Sequence, residues 1–218
     1  LSRFRNRIGR KARKLLMRTY GPRAEADFAT FLLGIGPGEI CLDMGANVGS
    51  FTAEMAARGC EVHAYEPDPL AFAELKKAVG HLPNVTLHYC AVAAEAGRLR
   101  LYRARNFADN ALAATTMSSI VLTGAKRYQD DDAIDVEVRA FRDVIRGFGR
   151  RIALVKMDIE GAEFDILRQI FAAPGDYDID AIFCETHERQ AIAEFPHIDA
   201  FRRASASLAR PYINLYWP

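Results

Sequence analysis

Acidic side chains and a histidine follow two apolar runs of this sequence, at positions where they could take part in proton transfer. Asp158 and Glu160 follow the run RIALVKM, and Glu185 and His187 follow DIDAIFC. An imidazole has an ordinary pKa of about 6.5, so His187 could take a proton from a hydroxyl group near neutral pH. The predicted catalytic residues are therefore His187, Asp158, Glu160 and Glu185.

The same acids and histidine also have explanations without catalysis. Acids at a helix N-terminus stabilise the helix by ~0.3–1 kcal/mol each, which would account for Asp158, Glu160 and Glu163. A single histidine near a strand end is often a surface residue. A divalent metal bound by Asp158, Glu160, Glu185 and His187 would lower the pKa of a hydroxyl. No spacing requires such an ion, so the sequence does not predict a metal.

The stretch CLDMGANVGSFT contains a second set of candidate residues, in a glycine-rich turn between an apolar run and a helical pattern. A phosphate-binding P-loop is excluded because no Lys-Ser or Lys-Thr pair occurs in the chain. The dinucleotide pattern G-x-G-x-x-G fails because Asn47 and Ser50 stand where glycines are needed. Asp43 before the turn would repel a pyrophosphate, but it could anchor backbone N–H groups or accept from an ammonium group.

Glu66, at the end of the next apolar run, adds a carboxylate to the candidate ligand-binding residues of the turn. Glu66 lies where an acid can accept both hydroxyl groups of a ribose. A ribose and an ammonium without a pyrophosphate describe S-adenosylmethionine. Its cationic sulfonium also fits the acids that end four of the five predicted parallel strands. The sequence therefore predicts S-adenosylmethionine as the cofactor.

Strand-length apolar runs alternate with helical patterns along the chain and would position these residues. The predicted strands are EICLDM, EVHAYE, NVTLHYCAVA, RIALVKMDI and DIDAIFCETH, with RLRLYRA, IDVEVRAF and PYINLYWP in addition. A helix is predicted from Pro22 to the glycines at 34 and 36, and another is capped by Asp68. This alternation predicts one α/β domain with a mostly parallel sheet, in which ligands bind at the carboxyl ends of the strands.

Two motifs carry a resemblance to a known family. DMGANVGSFT resembles the first motif of class I S-adenosylmethionine-dependent methyltransferases, and VKMDIEGAEFDIL is similar to the hallmark of the FkbM family within them. YEPDP, TMSSI, VEVRAFRDVI and IFCETH follow in the order of that family, so the resemblance covers about Phe28 to His187. It implies a single Rossmann-like domain with a mostly parallel seven-stranded sheet and helices on both faces. The last strand would be reversed, and PYINLYWP would correspond to it.

The resemblance also implies a function and roles for the residues. The function is O-methylation of a small molecule, such as a sugar or a natural-product hydroxyl. The turn would lie under the methionine half of the cofactor, Glu66 would hold the ribose, and Cys90 with Ala91 would line the adenine. The predicted cofactor-binding residues are Asp43, Gly45, Asn47, Gly49, Ser50, Phe51, Glu66, Pro67, Cys90, Ala91 and Asp158. The polar stretch from Asn106 to Asp132, with Ser118 and Ser119, is predicted to cover the cofactor and shape the acceptor pocket.

Charge divides the chain unevenly. The first eighteen residues carry eight Lys or Arg and no acid, and the remainder has a net charge of −7. Residues 1–20 are predicted as a basic helical extension and 21–218 as the methyltransferase domain. The extension could make weak contact with an anionic surface, whereas the acidic body argues against a nucleic-acid partner. A catalytically silent, cofactor-binding module that docks through this extension stays the alternative function.

The composition of the chain indicates the cellular compartment of the protein. No run of ~18 apolar residues is present, and the basic N-terminal residues do not resemble a signal peptide. Four cysteines show no C-x-x-C spacing and lie mostly in apolar runs, which is typical of buried, reduced thiols. We therefore expect a cytoplasmic protein.

Overall fold

The computed structural model describes residues 2–101, 133–187 and 194–217 of the chain. Its helices are α1 (Ser2–Leu33), α2 (Ser50–Ala56), α3 (Pro69–Val79), α4 (Phe141–Phe148), α5 (Glu163–Ala172) and α6 (Phe195–Ser205). Its strands are β1 (Ile40–Met44), β2 (Glu61–Tyr65), β3 (Val85–His88), β4 (Ala91–Ala93), β5 (Gly97–Leu101), β6 (Ile134–Ala140), β7 (Ile152–Met157), β8 (Ile179–Glu185) and β9 (Tyr212–Trp217).

The main sheet places β1 and β7 side by side in its middle. The six strands that the described residues contribute to it run in the order β3-β2-β1-β7-β8-β9, and each neighbouring pair is parallel. Both central strands are buried along their whole length, which explains why their sequences are almost continuously apolar. After β1 the chain adds β2 and β3 on one side of the sheet, and after β7 it adds β8 and β9 on the other side. The connections that leave β1 and β7 therefore run in opposite directions, and a crevice forms between them at the carboxyl ends of these two strands.

Helices cover both faces of the main sheet, because alternate residues of a strand point to opposite sides. Leu42 and Met44 of β1 pack in one cluster with residues of α4, α5 and α6. Cys41, which precedes Leu42 and points to the opposite side, packs in another cluster with Phe28 of α1 and Met55 of α2. The predicted Rossmann-like α/β arrangement is confirmed.

The last strand departs from the arrangement that the family resemblance implies. Within the described residues the main sheet has six strands rather than seven, and β9 lies parallel to β8, with Ala181 opposite Tyr212 and Ile182 opposite Ile213. Helix α6 lies between β8 and β9 in the sequence and brings the chain back to the end of the sheet where β8 begins. Strand β9 therefore runs in the same direction as β8. The expectation that PYINLYWP forms a reversed strand is wrong.

A second, three-stranded sheet contains the predicted strands RLRLYRA and IDVEVRAF, as β5 and β6. Its order is β4-β6-β5, with β4 parallel and β5 antiparallel to β6. The predicted single strand NVTLHYCAVA is split, since β3 belongs to the main sheet and β4 to the second one. The break at Tyr89 and Cys90 turns the chain between the sheets, and this places Cys90 and Ala91 beside the carboxyl end of β2.

The N-terminal helix packs against the last strand. The basic segment and the helix predicted from Pro22 form one helix, α1, which ends at Leu33 as the glycines after it predict. The Phe28 and Trp217 rings lie 4.5 Å apart, and the Phe31 and Tyr212 rings stack at 5.0 Å. The division of the chain at residue 20 stays a prediction.

Candidate active site

A cleft with about 620 Å³ of space opens at the carboxyl ends of β1, β2 and β7. Its lining consists of Gly45, Asn47, Tyr65, Glu66, Pro67, Asp68, Cys90, Ala91, Val92, Leu101, Asp158, Ile159 and Glu160. Seven of the eleven residues predicted to bind the cofactor are among them. Tyr65, Asp68, Val92, Leu101 and Ile159 were not predicted to line it. Asp68 was predicted only as a helix cap, and the other four are largely apolar residues in or next to strands, which carry no sequence signal that separates a cleft wall from the core.

The glycine turn forms one wall of the cleft and is pressed against the loop that follows β7. Gly45 has φ +79°, and a Cβ at this position would lie 1.7 Å from the Asp158 carbonyl oxygen, so only glycine fits. The N–H groups of Gly45 and Ala46 both donate to the Tyr65 carbonyl at 3.0 Å. Asn47 adopts φ +48°, a left-handed conformation that asparagine tolerates better than most residues. The turn is therefore fixed by its backbone.

Asp43 lies beneath the turn rather than in the cleft. Its side chain is fully buried, accepts a 2.6 Å hydrogen bond from the Thr52 hydroxyl, and lies 3.3 Å from the Lys156 Nζ. Lys156 also donates to the Gly45 carbonyl at 2.7 Å. Burial acts to lower the pKa of Lys156, but the carboxylates of Asp43 and Asp158 outweigh it, and the pKa lies above its ordinary value. This buried ion pair supports the glycine turn from below.

Gly49, Ser50 and Phe51 lie at the start of α2, and none of them is among the residues that line the cleft. Gly49 has φ +93°, and a Cβ there would lie 2.7 Å from Leu75 Cδ1. The Phe51 ring packs edge-on against Trp217 at 5.3 Å, on the face of the sheet that α1 covers. Gly49 and Phe51 thus contribute to the packing of α2, and a cofactor contact of Gly49, Ser50 and Phe51 stays a prediction.

Glu66 is a buried carboxylate at the rim of the cleft. It is 7% exposed, and its two oxygens accept from the backbone N–H groups of Asn47 and Asp68, each at 2.8 Å. Burial raises the pKa of Glu66 to about 7, although the two N–H donors act in the opposite direction. Pro67 follows it, and Asp68 then caps α3 as predicted by accepting from Leu70 N at 2.8 Å.

At the other end of the cleft, His187 faces three carboxylates that follow or end β7 and β8. Its Nε2 atom lies 3.5 Å from Glu160 Oε2, 3.6 Å from Asp158 Oδ1 and 3.9 Å from Glu185 Oε1. The structure thus brings together all four residues predicted to be catalytic. Asp158 and Glu160 also line the cleft, whereas Glu185 and His187 are not among its lining residues, so the cluster borders the cavity through these two acids. We call these four residues the carboxylate–histidine cluster.

Glu163 contacts His187 on the side of the ring away from the other three acids. It is fully buried at the start of α5, where its Oε1 accepts from the backbone N–H of His187 at 2.8 Å and lies 3.1 Å from His187 Nδ1. Its Oε2 accepts from Gly161 N at 2.7 Å. Burial acts to lower the pKa of His187, but Glu163, followed by Glu160 and Asp158, raises it to about 10. The sequence suggested only a helix-stabilising role for Glu163, because an acid in a first helical turn has that explanation.

The polar stretch predicted to cover the cofactor, Asn106 to Asp132, lies outside the described residues, as do Ser118 and Ser119.

The segment that builds this site also matches a known family. A sequence model described as the methyltransferase FkbM domain matches residues 43–206, from the buried aspartate below the glycine turn to the end of α6. The chain belongs to the FkbM methyltransferase family. The predicted resemblance is confirmed, and the matched range contains all the residues of the cleft and of the carboxylate–histidine cluster.

Curated relatives of this FkbM-family chain carry methyltransferase names. It is 31% identical over 185 residues to the 31-O-demethyl-FK506 methyltransferase FkbM of Streptomyces tacrolimicus, and the match covers 75% of this chain and 67% of that protein. It is 26% identical over 153 residues to methyltransferase sdnD of Sordaria araneosa, with 59% of each covered. It is 27% identical over 140 residues to methyltransferase 1 of Beauveria bassiana (strain ARSEF 2860), with 58% and 56% covered.

The chain therefore spans about two thirds or less of the length of these relatives. Family and names together support methyl transfer as the activity of the domain. Among the described helices of this FkbM-family chain, none has an apolar stretch sufficient to cross a bilayer.

Proposed function

We propose that this domain is an S-adenosylmethionine-dependent methyltransferase that methylates a hydroxyl group of a small molecule. One observation carries the proposal: a single cleft is lined by the glycine turn, by Glu66 and by Asp158 and Glu160, the two acids that connect it to His187. A cofactor bound along the turn would therefore end beside groups that can receive a proton.

The cofactor is proposed to lie across the carboxyl ends of β1 and β2. Each carboxylate oxygen of Glu66 accepts one backbone hydrogen bond, and its second lone pair could accept a ribose hydroxyl. The adenine would lie near Cys90 and Ala91, which line the cleft beside Glu66. The methionine half would follow the turn at Gly45 and Asn47, towards Asp158. Asp43 would act through the turn, since its side chain is occupied by Thr52 and Lys156.

The reaction is proposed to be a direct in-line transfer. The acceptor oxygen forms a bond to the methyl carbon while the carbon–sulfur bond breaks, and S-adenosylhomocysteine leaves. The hydroxyl proton passes to a carboxylate of the carboxylate–histidine cluster rather than to the ring of His187, because a pKa of about 10 means that this imidazole already carries a proton near neutral pH. Alignment of the two reactants in one cleft would supply most of the rate acceleration, because effective molarities of well-oriented groups reach about 10⁵–10⁸ M.

The acceptor is proposed to be a small molecule rather than a nucleic acid. The relative from Streptomyces tacrolimicus is named for the substrate 31-O-demethyl-FK506. That compound is the first acceptor to test, followed by other hydroxylated natural products and sugars. We also propose a cytoplasmic location and, for the basic part of α1, at most a weak contact with anionic surfaces.

Isothermal titration calorimetry tests the cofactor. We expect S-adenosylmethionine and S-adenosylhomocysteine to bind and NAD not to bind, and we expect Glu66→Ala to weaken binding. Glu74→Ala is the matched control, since Glu74 lies on α3 and pairs with Lys77 at the surface. Folded protein that binds neither sulfur compound would show the proposal to be wrong. Binding without transfer of a labelled methyl group to any acceptor of the panel would favour the silent module.

A further inference from the structure

The atoms around His187 Nε2 are spaced like the ligands of a metal ion. Distances of 3.5–3.9 Å from Nε2 to three carboxylate oxygens exceed those of normal hydrogen bonds. Around an ion with bonds of about 2.1 Å, adjacent ligands would be about 3.0 Å apart and opposite ligands about 4.2 Å. Within the described residues, donor atoms of Asp158, Glu185 and His187 all lie within 4.8 Å of one another. An ion could bind between them after small side-chain adjustments.

The second ring nitrogen of His187 faces a carboxylate, as is usual for histidines that bind a metal. Its Nδ1 faces the Glu163 carboxylate at 3.1 Å and can donate its proton there. When the ion displaces the proton of Nε2, the lone pair of Nε2 points to the three acids. His187 is only 6% exposed, so this orientation is fixed by packing. A buried carboxylate behind the ring is the outer-shell arrangement that orients histidine ligands and makes them more basic.

Charge favours a cation at the same point. Lys156 lies 3.8 Å from Asp158 Oδ2, which leaves Asp158 Oδ1 as the oxygen nearest to His187. Glu160, Glu185 and the fully buried Glu163 add three further carboxylates around the ring. A divalent cation would compensate these charges.

From this arrangement we infer that Asp158, Glu185 and His187 bind a divalent first-row transition metal ion. A set of one imidazole and two carboxylates suits Mn²⁺ or its neighbours better than Mg²⁺, which prefers oxygen ligands alone. Glu163 is a positioning residue that acts through His187. The ion's role rests on the proposed function. It binds the acceptor hydroxyl and lowers its pKa, Glu160 takes the released proton, and the oxygen forms the new bond to the methyl carbon as the carbon–sulfur bond breaks.

The binding experiment needs no acceptor. Mn²⁺ is titrated into the metal-stripped full chain and free Mn²⁺ is followed by electron paramagnetic resonance. We expect one bound ion per chain. Glu163→Gln should weaken Mn²⁺ binding by about 10- to 100-fold, the usual effect of an outer-shell change, and His187→Ala by more. Glu185→Gln, at a partly exposed position, keeps the test valid if His187→Ala does not fold. His81→Ala and Glu54→Gln, both exposed, are the matched controls and should leave affinity unchanged.

Two outcomes would overturn the inference: folded wild type that does not bind Mn²⁺, or affinity that stays unchanged in His187→Ala and Glu185→Gln. S-adenosylhomocysteine binding, measured on the same samples, separates this inference from the proposed function. Cofactor binding without Mn²⁺ binding refutes the metal site alone, whereas Mn²⁺ binding without cofactor binding refutes the proposed function. For Glu163→Gln, an unchanged affinity for S-adenosylhomocysteine would show that the loss of Mn²⁺ binding is not a general loss of structure.

Discussion

The buried carboxylate of Glu66 should make cofactor binding depend on pH. Burial raises its pKa to about 7, so the side chain is protonated at pH 5 and ionised at pH 8. Ribose hydroxyls donate hydrogen bonds, and an ionised carboxylate accepts them more strongly than a protonated one. Affinity for S-adenosylhomocysteine should therefore rise as the pH increases through 7.

The size of the effect follows from the ionised fraction of Glu66. With a pKa of about 7, about 3% of the side chains are ionised at pH 5.5 and about 75% at pH 7.5. If the ionised form alone binds, affinity should rise about 25-fold over this range, which corresponds to about 2 kcal/mol. Any binding by the protonated form would reduce this ratio.

Calorimetry at several pH values measures this effect, with Glu66→Gln as the comparison. The amide keeps the shape but does not ionise, and its NH₂ group must face a backbone N–H donor at Asn47 or Asp68. We expect weaker binding and a flat profile between pH 5.5 and 7.5. The ligand has its own titratable amino group, and its contribution is the same for both proteins. A rise of equal size in wild type and Glu66→Gln would refute the assignment.

Three substitutions test the tight glycine turn, the buried ion pair below it and the aromatic packing of β9 on α1. Gly45→Ala would place a methyl group 1.7 Å from a backbone oxygen, so we expect it to abolish S-adenosylhomocysteine binding and to lower the free energy of unfolding in urea. Lys156→Met should cost about 3–5 kcal/mol by urea denaturation, because Asp43 then stays buried without its partner. Trp217→Ala should cost about 3–5 kcal/mol, measured the same way, since the indole is buried among aromatic rings.

Each of these substitutions has a control. Gly149 also has a positive φ, +58°, but nothing lies within 4 Å of its Cβ position, so Gly149→Ala should cost only about 1–2 kcal/mol and keep binding. Adding Asp43→Asn to Lys156→Met should recover part of the lost stability, and no recovery would contradict the ion-pair argument. Replacing Leu33, which is 70% exposed, by Ala should change stability by less than about 0.5 kcal/mol. A loss at Leu33 as large as that at Trp217 would contradict the packing argument.

The central strands themselves could be predicted because their patterns are unambiguous, whereas their order in the sheet was not predicted. β1 and β7 are apolar runs with one charged residue each, bounded by glycine or polar turns, and such runs are typical of strands buried on both faces. The direction of β9 could not be predicted, since a strand pattern is the same in either direction. The break in NVTLHYCAVA was missed because only Tyr89 and Cys90 separate β3 from β4, so the two strands read as one run although they join different sheets.

The site could be predicted where local spacing decides the geometry. The turn at Gly45 and the acids at strand ends follow from the rule that parallel sheets bind ligands at one edge. Long-range partners could not be predicted. Lys156 pairs with Asp43 across more than one hundred residues, and its only sequence signal was a lysine inside an apolar run. Glu163 was missed because its contact with His187 depends on how α5 packs beside β8.

The contact between α1 and β9 joins the first and last described elements of the chain. Tyr212 donates to Asp27 at 3.0 Å across 185 residues of sequence, and Phe28 packs on Trp217. During synthesis, α1 therefore leaves the ribosome long before the strand that covers its aromatic side chains. Until then one face of the helix stays available to chaperones or to other nascent chains. Folding of this domain should finish only after β9 has emerged, and the longest loop closure then comes last.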